Sequence, residues 1–346
     1  MAVKAEPRVR SDAVPLRTYR SQGRPAAIMG LGVDVPERIL SNADLERIVE
    51  TSDQWIVERT GIRRRRIAEP GTTTFSLAAR AARRALAASG VQPAELDMIL
   101  VATSTPDGPF PSVACRVQEQ LGVPGCAAVD MLAACSGFIY ALSAAEAYVS
   151  SGRADTVLVI GAEVLSRMVD WKDRGTCVLF ADGAGAAVVR PAERGAGFSA
   201  WCLGADGRGY DQITYGDPAT GAYSSPDPGS AHIGMKGPDV FKFAVDIFIR
   251  QAYAVADAAG IAVEDIDLFV PHQANSRIIE AAARRVGLPL DRVMINIDEY
   301  GNTSTATIPL ALNDAVRLGR LKSGDKVLAA GFGSGLTWGA CLFEWE

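Results

Sequence analysis

The sequence predicts an α/β fold made of two similar halves that pack against each other. Short apolar segments alternate with amphipathic ones, as in the strand-like residues 26–33 and the helical residues 74–89. Continuous apolar runs such as residues 156–161 are typical of central strands that are covered on both faces. The Gly-containing, strand-like residues 180–190 have a counterpart in residues 331–343, which indicates a duplicated unit.

The predicted halves span residues 25–195 and 196–346. The division falls in the Pro- and Gly-containing residues 191–197, whose composition is typical of a linker. Residues 1–24 are polar and arginine-rich, and they follow neither the helical nor the strand period. We therefore expect this first segment to be a mobile extension.

Composition and charge narrow the class of protein. Of the 346 residues, 48% are hydrophobic and 22% are charged, which is typical of a compact protein with a core. The net charge of −5 argues against a general nucleic-acid binder. We expect no membrane association, because no apolar run is long enough to span a bilayer. The six cysteines lack CxxC spacing, so we expect a reducing, cytoplasmic location. With two histidines scattered among lone cysteines, we expect no metal site.

Cys135 is a candidate nucleophile. It lies where an apolar, strand-like run gives way to a helix. A thiol at the start of a helix faces unpaired N–H groups and the positive end of the helix dipole, and both favour the thiolate. Taken alone, Cys135 also fits an inert core residue, because free cysteines are among the most buried residue types.

His272 and Asn302 are candidate partners of Cys135. His272 follows a predicted strand, and ligand crevices in α/β sheets form at the carboxyl ends of strands. Taken singly, His272 also fits a hydrogen-bonded core histidine and Asn302 a helix N-cap. A Cys, a His and an Asn that each lie in a turn of small residues together indicate a nucleophilic site.

Four motifs carry a resemblance to a known family. They are Ala-Cys-Ser-Gly around Cys135, Pro-His-Gln-Ala-Asn at residues 271–275, Gly-Asn-Thr-Ser at 301–304 and Gly-Ser-Gly-Leu-Thr-Trp-Gly at 333–339. From residue 26 to the end, the chain resembles β-ketoacyl-acyl-carrier-protein synthase III. Thiolases use a second Cys, and elongating ketosynthases have a second His where this chain has Asn302. The resemblance implies the thiolase fold, two duplicated halves in five α-β-α-β-α layers.

The resemblance also implies a reaction and roles for the candidate residues. Cys135 would take the acyl group of a short acyl-CoA primer such as acetyl-CoA, with the backbone N–H groups of Cys135 and Ser334 holding the oxyanion. The family usually has Gly at the position of Ser334. Malonyl-acyl-carrier protein would then lose CO₂ while His272 and Asn302 donate to its thioester oxygen, and the carbanion would attack the acyl-Cys135. The resemblance implies a homodimer and no metal or other cofactor.

A CoA-binding segment is implied by residues 51–62. Trp55 would stack on the adenine with Arg174 on its other face, because an indole and a guanidinium suit a flat base. Arg59 would hold the phosphates, and Gly237 and Asn275 would line the pantetheine tunnel. Core packing of the Trp and a surface ion pair are the alternatives.

Two further sets of residues are assigned by the resemblance. The first set would dock the acidic carrier protein. It comprises Lys242, Arg277, Arg284 and Arg285. The alternative is that this basic run is simply a solvated helix face. Arg277 and Arg284 are seven residues apart and so share a face. The second set would line the acyl pocket, with its first member reaching across the dimer interface; it comprises Phe110, Phe180 and Phe241. Ordinary core packing is the alternative for these aromatic residues.

Three other functions stay open at this point. A specialised relative that primes or acylates secondary metabolites would share the fold and most of the motifs. A non-catalytic scaffold would not need the Cys, His and Asn together. A cysteine hydrolase uses the same three residue types, with the His as a base beside the Cys and a path for water.

Overall fold

The computed structural model describes residues 14–192, 196–216 and 231–346. In these ranges the strands are β1 (Arg17–Arg20), β2 (Ala26–Asp34), β3 (Ile39–Ser41), β4 (Arg64–Arg66), β5 (Met98–Ala102), β6 (Ala127–Met131), β7 (Val157–Val164), β8 (Asp182–Pro191), β9 (Gly197–Ala205), β10 (Ile213–Tyr215), β11 (Ile233–Met235), β12 (Leu268–Pro271), β13 (Lys326–Gly333) and β14 (Thr337–Glu344). The α-helices are α1 (Asn42–Leu45), α2 (Asp53–Thr60), α3 (Thr74–Ser89), α4 (Val113–Leu121), α5 (Gly137–Ser150), α6 (Gly237–Ala259), α7 (Ser276–Val286), α8 (Ile297–Tyr300) and α9 (Thr307–Arg317).

Two five-stranded mixed sheets form the framework. The first has the strand order β2-β8-β7-β5-β6, in which β5 runs parallel to β6 and β7. The second has the order β1-β9-β14-β13-β12, in which β12 and β13 are parallel. Apart from β1, the strands of the first sheet precede residue 192 and those of the second follow residue 196, so each half of the sequence supplies one sheet.

Helices separate and cover the sheets in five layers. α5 and α9 each contact strands of both sheets and form the central layer. α3 and α4 cover the outer face of the first sheet, while α6 packs on the outer face of the second and α7 packs on α6. Three apolar clusters fill the spaces between the layers, one central and two outer. The prediction of an α-β-α-β-α arrangement is therefore confirmed.

Local sequence signals explain where the helices lie. α3 has the predicted bounds, because the Thr73 hydroxyl caps its first turn and Gly90 ends it with a left-handed backbone. On β2, a Cβ at Gly32 would lie 2.1 Å from the backbone nitrogen of Ala85, so this Gly allows α3 to pack directly on the strand. α5 is buried along most of its length, as its almost wholly apolar sequence predicts.

The expectation of a mobile N-terminal extension is wrong for the part of it that the structure describes. Arg17–Arg20 form β1, which pairs antiparallel with the edge of β9. Arg24 forms an ion pair with Asp155 at 2.7 Å and bonds to backbone carbonyl groups of the first half. All four β1 side chains are exposed, so the strand has no apolar alternation by which its sequence signals it. Residues 1–13 and the predicted linker residues 193–195 lie outside the described ranges.

Candidate active site

Cys135 lies at the centre of the molecule, between the two sheets. It is the middle residue of a 3-10 turn, Ala134–Ser136, that leads directly into α5. The end of β13 passes against this turn, because a Cβ at Gly333 would lie 2.6 Å from the backbone nitrogen of Cys135. The predicted position at a helix start is confirmed, and Gly at 333 allows the two loops to touch.

The resting thiol of Cys135 is neutral. Burial raises the pKa of the Cys135 thiol to about 12; the hydrogen bond with the Ser304 hydroxyl opposes this rise, and the negative charge of Glu163 adds to it. The expectation that the helix start favours a thiolate is therefore wrong for the resting site. Removing the sulfur from water outweighs the partial positive charge of the helix N-terminus.

The loop after β13 is tied to the Cys135 turn by hydroxyl groups. Ser136 Oγ donates to Thr337 Oγ1 at 2.9 Å. Thr337 Oγ1 shares its own proton between the carbonyl groups of Ala133 and Ser334, at 3.1 and 2.9 Å. Ser334 Oγ donates to the carbonyl of Ile213 at 2.6 Å. The φ of Ser334 is not in the left-handed region, so Ser is accommodated where the family usually has Gly. The role of its backbone N–H in an oxyanion hole stays a prediction.

His272 follows β12 and is buried. Its Nδ1 lies 2.6 Å from Thr307 Oγ1, and that hydroxyl lies 2.9 Å from the Ser304 carbonyl. When the hydroxyl donates to Nδ1, the imidazole carries its proton on Nε2; when it donates to the carbonyl, Nε2 is an acceptor. Burial lowers the pKa of His272 to about 3, so the ring is neutral at pH 7. A neutral imidazole with a proton on Nε2 can act as a hydrogen-bond donor.

Asn302 is fixed by backbone and side-chain contacts. Its N–H donates to the carbonyl of Leu179 and its carbonyl accepts from Ala181, both at 2.9 Å. Its Oδ1 accepts from the N–H of Ser304 at 2.9 Å. Because the oxygen of the amide is engaged, the Nδ2 hydrogens are the groups that Asn302 can present to a substrate. The amide therefore has the polarity that the predicted donor role needs.

Ser304 connects the three predicted catalytic residues. Its N–H donates to Asn302 Oδ1, and its carbonyl accepts from the Thr307 hydroxyl that contacts His272. Hydrogen bonding by its side chain lowers the pKa of Cys135. Its φ of 51° lies in the left-handed region, which is strained for Ser. Sequence reasoning missed Ser304 and Thr307. The signal that could have revealed them is the run of hydroxyl residues directly after Asn302.

Four of the predicted CoA residues lie along α2, from Trp55 and Arg174 near its start to Arg59 and Asn275 at its end. The guanidinium carbons of Arg174 and Arg59 lie 4.9 and 5.9 Å from the Trp55 ring centre. Asn275 caps α7 through its Oδ1 and donates from Nδ2 to the carbonyl of Arg59 at 2.9 Å. At 4.9 Å there is no room for a base between Trp55 and Arg174, so an adenine sandwich requires the Arg174 side chain to move.

Gly237 lies apart from these residues, at the first position of α6. A Cβ built on Gly237 would meet no atom of the described chain within 4 Å. No part of the described chain therefore approaches Gly237 so closely that a side chain would be excluded. Its predicted place beside a pantetheine tunnel stays a prediction.

The three predicted pocket aromatics do not share one pocket within a single chain. Phe110 is 84% exposed. Phe180 belongs to the apolar cluster that includes Ile56 of α2, and its backbone forms an isolated parallel β-bridge with Asn302. Phe241 packs against the cluster below α6, under the guanidinium of Arg277 at 5.7 Å. Their separate locations follow from their elements, which the sequence places in an exposed loop, a buried turn and a surface helix.

The predicted docking residues divide into two groups. Lys242 and Arg285 line a groove of about 910 Å³ between α6 and α7, together with Phe241, over which Arg277 lies. Arg284 instead lies 3.7 Å from Glu280 and does not line the groove. The docking role of all four residues stays a prediction. The groove extends to Leu336, which adjoins the Ser334 loop.

The described ranges form neither a cluster of metal ligands nor a membrane-spanning helix. Within them, no three His, Cys, Asp or Glu side chains are grouped as metal ligands would be. No helix in these ranges has both the length and the apolar character that crossing a membrane requires.

Comparison with known proteins identifies the family. Sequence models of 3-oxoacyl-[acyl-carrier-protein (ACP)] synthase III and of its C-terminal part match residues 129–207 and 256–345. The β-ketoacyl-[acyl-carrier-protein] synthase III of Symbiobacterium thermophilum is 49% identical over 93% of this chain and 98% of that protein. The crystal structure of the 3-oxoacyl-[acyl-carrier-protein] synthase III of Aquifex aeolicus has a TM-score of 0.87 and 47% identity, and it covers 92% of this chain and 100% of its own.

The chain belongs to the β-ketoacyl-acyl-carrier-protein synthase III family. It is therefore a condensing acyltransferase with the thiolase fold, as the motifs predicted. A priming β-ketosynthase from the R1128 polyketide biosynthetic pathway also has the fold, with a TM-score of 0.88 and 36% identity over 94% of this chain and 97% of its own. The greater identity to synthase III proteins favours the start of fatty-acid synthesis over a polyketide pathway.

Proposed function

We propose that this enzyme transfers a short acyl group from acyl-CoA to Cys135 and then condenses it with malonyl-acyl-carrier protein. The products are β-ketoacyl-acyl-carrier protein, CO₂ and CoA. The observation that carries this proposal is the single network in which Ser304 joins Cys135, Asn302 and, through Thr307, His272. No metal or redox cofactor enters either half of this reaction, and the length of the primer stays a prediction.

In the first half-reaction, the sulfur of Cys135 attacks the thioester carbon of the acyl-CoA. The negative charge that develops on the carbonyl oxygen needs fixed donors. We assign this role to the N–H groups of Cys135 and Ser334, because the close approach at Gly333 holds the two loops together. CoA leaves as a thiol, and the acyl group stays on Cys135.

In the second half-reaction, loss of CO₂ from the malonyl group places charge on its thioester oxygen. Asn302 Nδ2 donates to that oxygen, and His272 Nε2 donates to it when the Thr307 hydroxyl turns its proton to Nδ1; both stabilise the enolate. This role needs donors rather than a base, which agrees with a neutral imidazole and with an amide whose oxygen is already engaged. The carbanion then attacks the acyl thioester on Cys135 and releases its sulfur.

Two basic surfaces receive the two substrates. Trp55, Arg59 and Arg174 are placed to bind the nucleotide of CoA, because Arg174 already stacks on the indole and can stack on a base instead. The groove leads to the loop that holds Ser334. Two of its arginines, Arg208 and Arg250, pair with Asp206 and Asp246 of its lining, so its positive charge comes from Lys242 and Arg285, with Asp239 opposing them. These two cations suit the acidic carrier protein. A net-acidic enzyme needs such a local positive surface to attract an acidic partner.

The enzyme acts as a homodimer in this proposal. β6 is an edge of the first sheet, and apolar side chains at and beside it are exposed, with Val129 at 46%, Leu132 at 71% and Phe110 at 84%. An unpaired strand edge with exposed apolar residues is a surface for pairing with a second copy. Phe110 of one protomer is then placed to reach its partner. The six free cysteines agree with a cytoplasmic location.

Asn302→Asp separates the two half-reactions. A carboxylate at this position repels the enolate, so we expect decarboxylation of malonyl-carrier protein to fall by about 100- to 1,000-fold. Acylation of Cys135 should persist. Release of CO₂ and transfer of a labelled acyl group from acyl-CoA measure the two steps separately. Retention of decarboxylation in this variant would show that Asn302 does not stabilise the enolate.

Charge reversal and truncation at the two basic surfaces should affect different substrates. We expect Arg285→Glu to raise KM for malonyl-carrier protein roughly tenfold at low salt. Trp55→Ala should instead raise KM for acyl-CoA, by a similar factor. Arg284→Glu is the matched control for the groove, since Arg284 pairs with Glu280 outside it. Equal effects of Arg284→Glu and Arg285→Glu on carrier KM would rule out the groove as the docking site.

Leu132→Asp tests the dimer. A carboxylate beside the exposed β6 edge is costly to bury, so this variant should sediment as a monomer where the wild-type chain sediments as a dimer. Leu318→Asp is the control, because Leu318 is 55% exposed on a different surface. A wild-type monomer, or dissociation by both changes alike, would exclude the β6 interface.

A further inference from the structure

Glu163 is a buried carboxyl group that neither half-reaction described above uses. It lies near the end of β7 with none of its surface exposed. Among the described residues, no cation forms an ion pair with it. A negative charge on Glu163 opposes the formation of a thiolate at Cys135. A carboxyl group in this position therefore calls for a functional explanation.

Hydroxyl groups surround this carboxyl. Thr105 Oγ1 donates to it at 2.6 Å, Thr305 Oγ1 at 3.2 Å and Thr103 Oγ1 at 3.4 Å. The N–H of Ser104 donates at 3.1 Å to both oxygens. The loop after β5 and the 3-10 turn Ser304–Ala306 thus hold the carboxyl in a fixed position.

Ser304 also links this carboxyl to the nucleophile. The turn that contains Ser304 packs on the Cys135 turn and reaches Glu163 through Thr305 Oγ1 at 3.2 Å, and hydrogen bonding by the Ser304 side chain lowers the pKa of both Glu163 and Cys135. A hydroxyl group is both a donor and an acceptor, so it can accept a proton from one neighbour while it donates its own to the other. Ser304 has a left-handed backbone at the point where its turn packs on the turn of Cys135.

We propose that Glu163 receives the proton of Cys135 through the Ser304 hydroxyl when Cys135 is acylated, and returns it after condensation. Glu163 and Ser304 are positioning and proton-relay residues in this scheme, since Glu163 does not contact the substrate. The inference rests on the proposed role of Cys135 as the acyl acceptor.

The proton balance closes over one cycle. In acylation, the S–H bond of Cys135 breaks and its proton goes to Ser304 Oγ, while the Ser304 proton goes to the Glu163 carboxylate. The Cys135 sulfur forms the new thioester, and CoA leaves as a thiolate that takes a proton from solvent. Condensation later releases Cys135 as a thiolate. The same route in reverse then returns the proton from Glu163 and restores the resting thiol.

Charge conservation favours this route. The pocket holds one negative charge before the transfer, on Glu163, and one after it, on Cys135, so the thiolate forms without a second buried anion. Burial raises the pKa of Glu163 to about 7, and the surrounding hydroxyl groups oppose the rise. Burial lowers the pKa of His272 to about 3, so Glu163 is the stronger base of the two at neutral pH.

The groups that face Glu163 come from three places. The loop after β5 supplies Thr103, Ser104 and Thr105, the turn after Asn302 supplies Ser304 and Thr305, and the turn before α5 supplies Cys135. Cys135 is the titratable member of this set, and the others are uncharged. The pH dependence of acylation should therefore report the Glu163 carboxyl.

The pH profile of the acylation step tests the proposal. In the wild type, the rate of CoA release from acyl-CoA should rise with pH through about 7, as Glu163 loses its proton and becomes able to accept another. Glu163→Gln keeps the shape of the side chain but cannot accept the proton. It should slow CoA release by about 100-fold at pH 8 and remove the rise near pH 7.

Two further variants guard against a change in folding. Ser304→Ala retains Glu163 and interrupts the relay, so it should also remove the rise near pH 7. Thr305→Val removes one of the donors that lower the pKa of Glu163, so the rise should persist and move to higher pH. A rise near pH 7 that Glu163→Gln and Ser304→Ala leave unchanged would overturn the relay.

The proposed function fails separately from the relay. If the wild type gains no acyl group on Cys135 from acyl-CoA, the role of Cys135 itself is wrong. If the wild type is acylated and the two relay variants share its pH profile, only the relay is wrong. Trapping the acylated protein by acid quench before the pH series distinguishes these results.

Discussion

The catalytic network depends on one residue, Ser304, held with a left-handed backbone. The hydroxyl, N–H and carbonyl of Ser304 each connect to a different catalytic residue. Because its φ of 51° costs conformational energy in a non-Gly residue, the surrounding contacts must hold it in place. One strained residue thus fixes groups from three distant parts of the chain, and a relaxed backbone there would separate them.

Depth of burial sets the chemistry of the pocket. Removal from water keeps the thiol of Cys135 and the imidazole of His272 neutral, although a charged pair would be the simpler arrangement for a cysteine hydrolase. Neutral donors suit an enzyme that must stabilise a passing enolate without supplying a base to activate water. The same burial that raises the pKa of the nucleophile makes a nearby proton acceptor necessary, and Glu163 is the carboxyl within reach of the hydroxyl relay.

Much of the fold could be predicted from the sequence, because its signals are local. The apolar strands and the caps of α3 identify buried elements, and the motifs around Cys135, His272 and Asn302 identify the residues that the structure brings together. β1 could not be predicted, since its exposed polar side chains carry no periodic signal and its stability comes from pairing with β9.

The parts of the site that escaped prediction depend on tertiary contacts. Ser304, Thr307 and Glu163 are ordinary polar residues in the sequence, and only packing of the two halves brings them to one point. The pKa of Cys135 also followed burial rather than the helix start, because the sequence specifies the helix but not the depth of the site. Which of the predicted docking arginines line the groove also depends on packing, since Arg285 lines it while Arg284 lies 3.7 Å from Glu280.

The central claim is that Cys135 carries the acyl group between two thioesters. Time-resolved mass spectrometry of the peptide that contains Cys135 tests it most directly. After mixing with acyl-CoA, the acyl group should appear on Cys135 and persist until malonyl-carrier protein is added. It should then disappear at the rate at which the β-ketoacyl product forms. An acyl group on another residue, or its loss to water without that product, would contradict the claim.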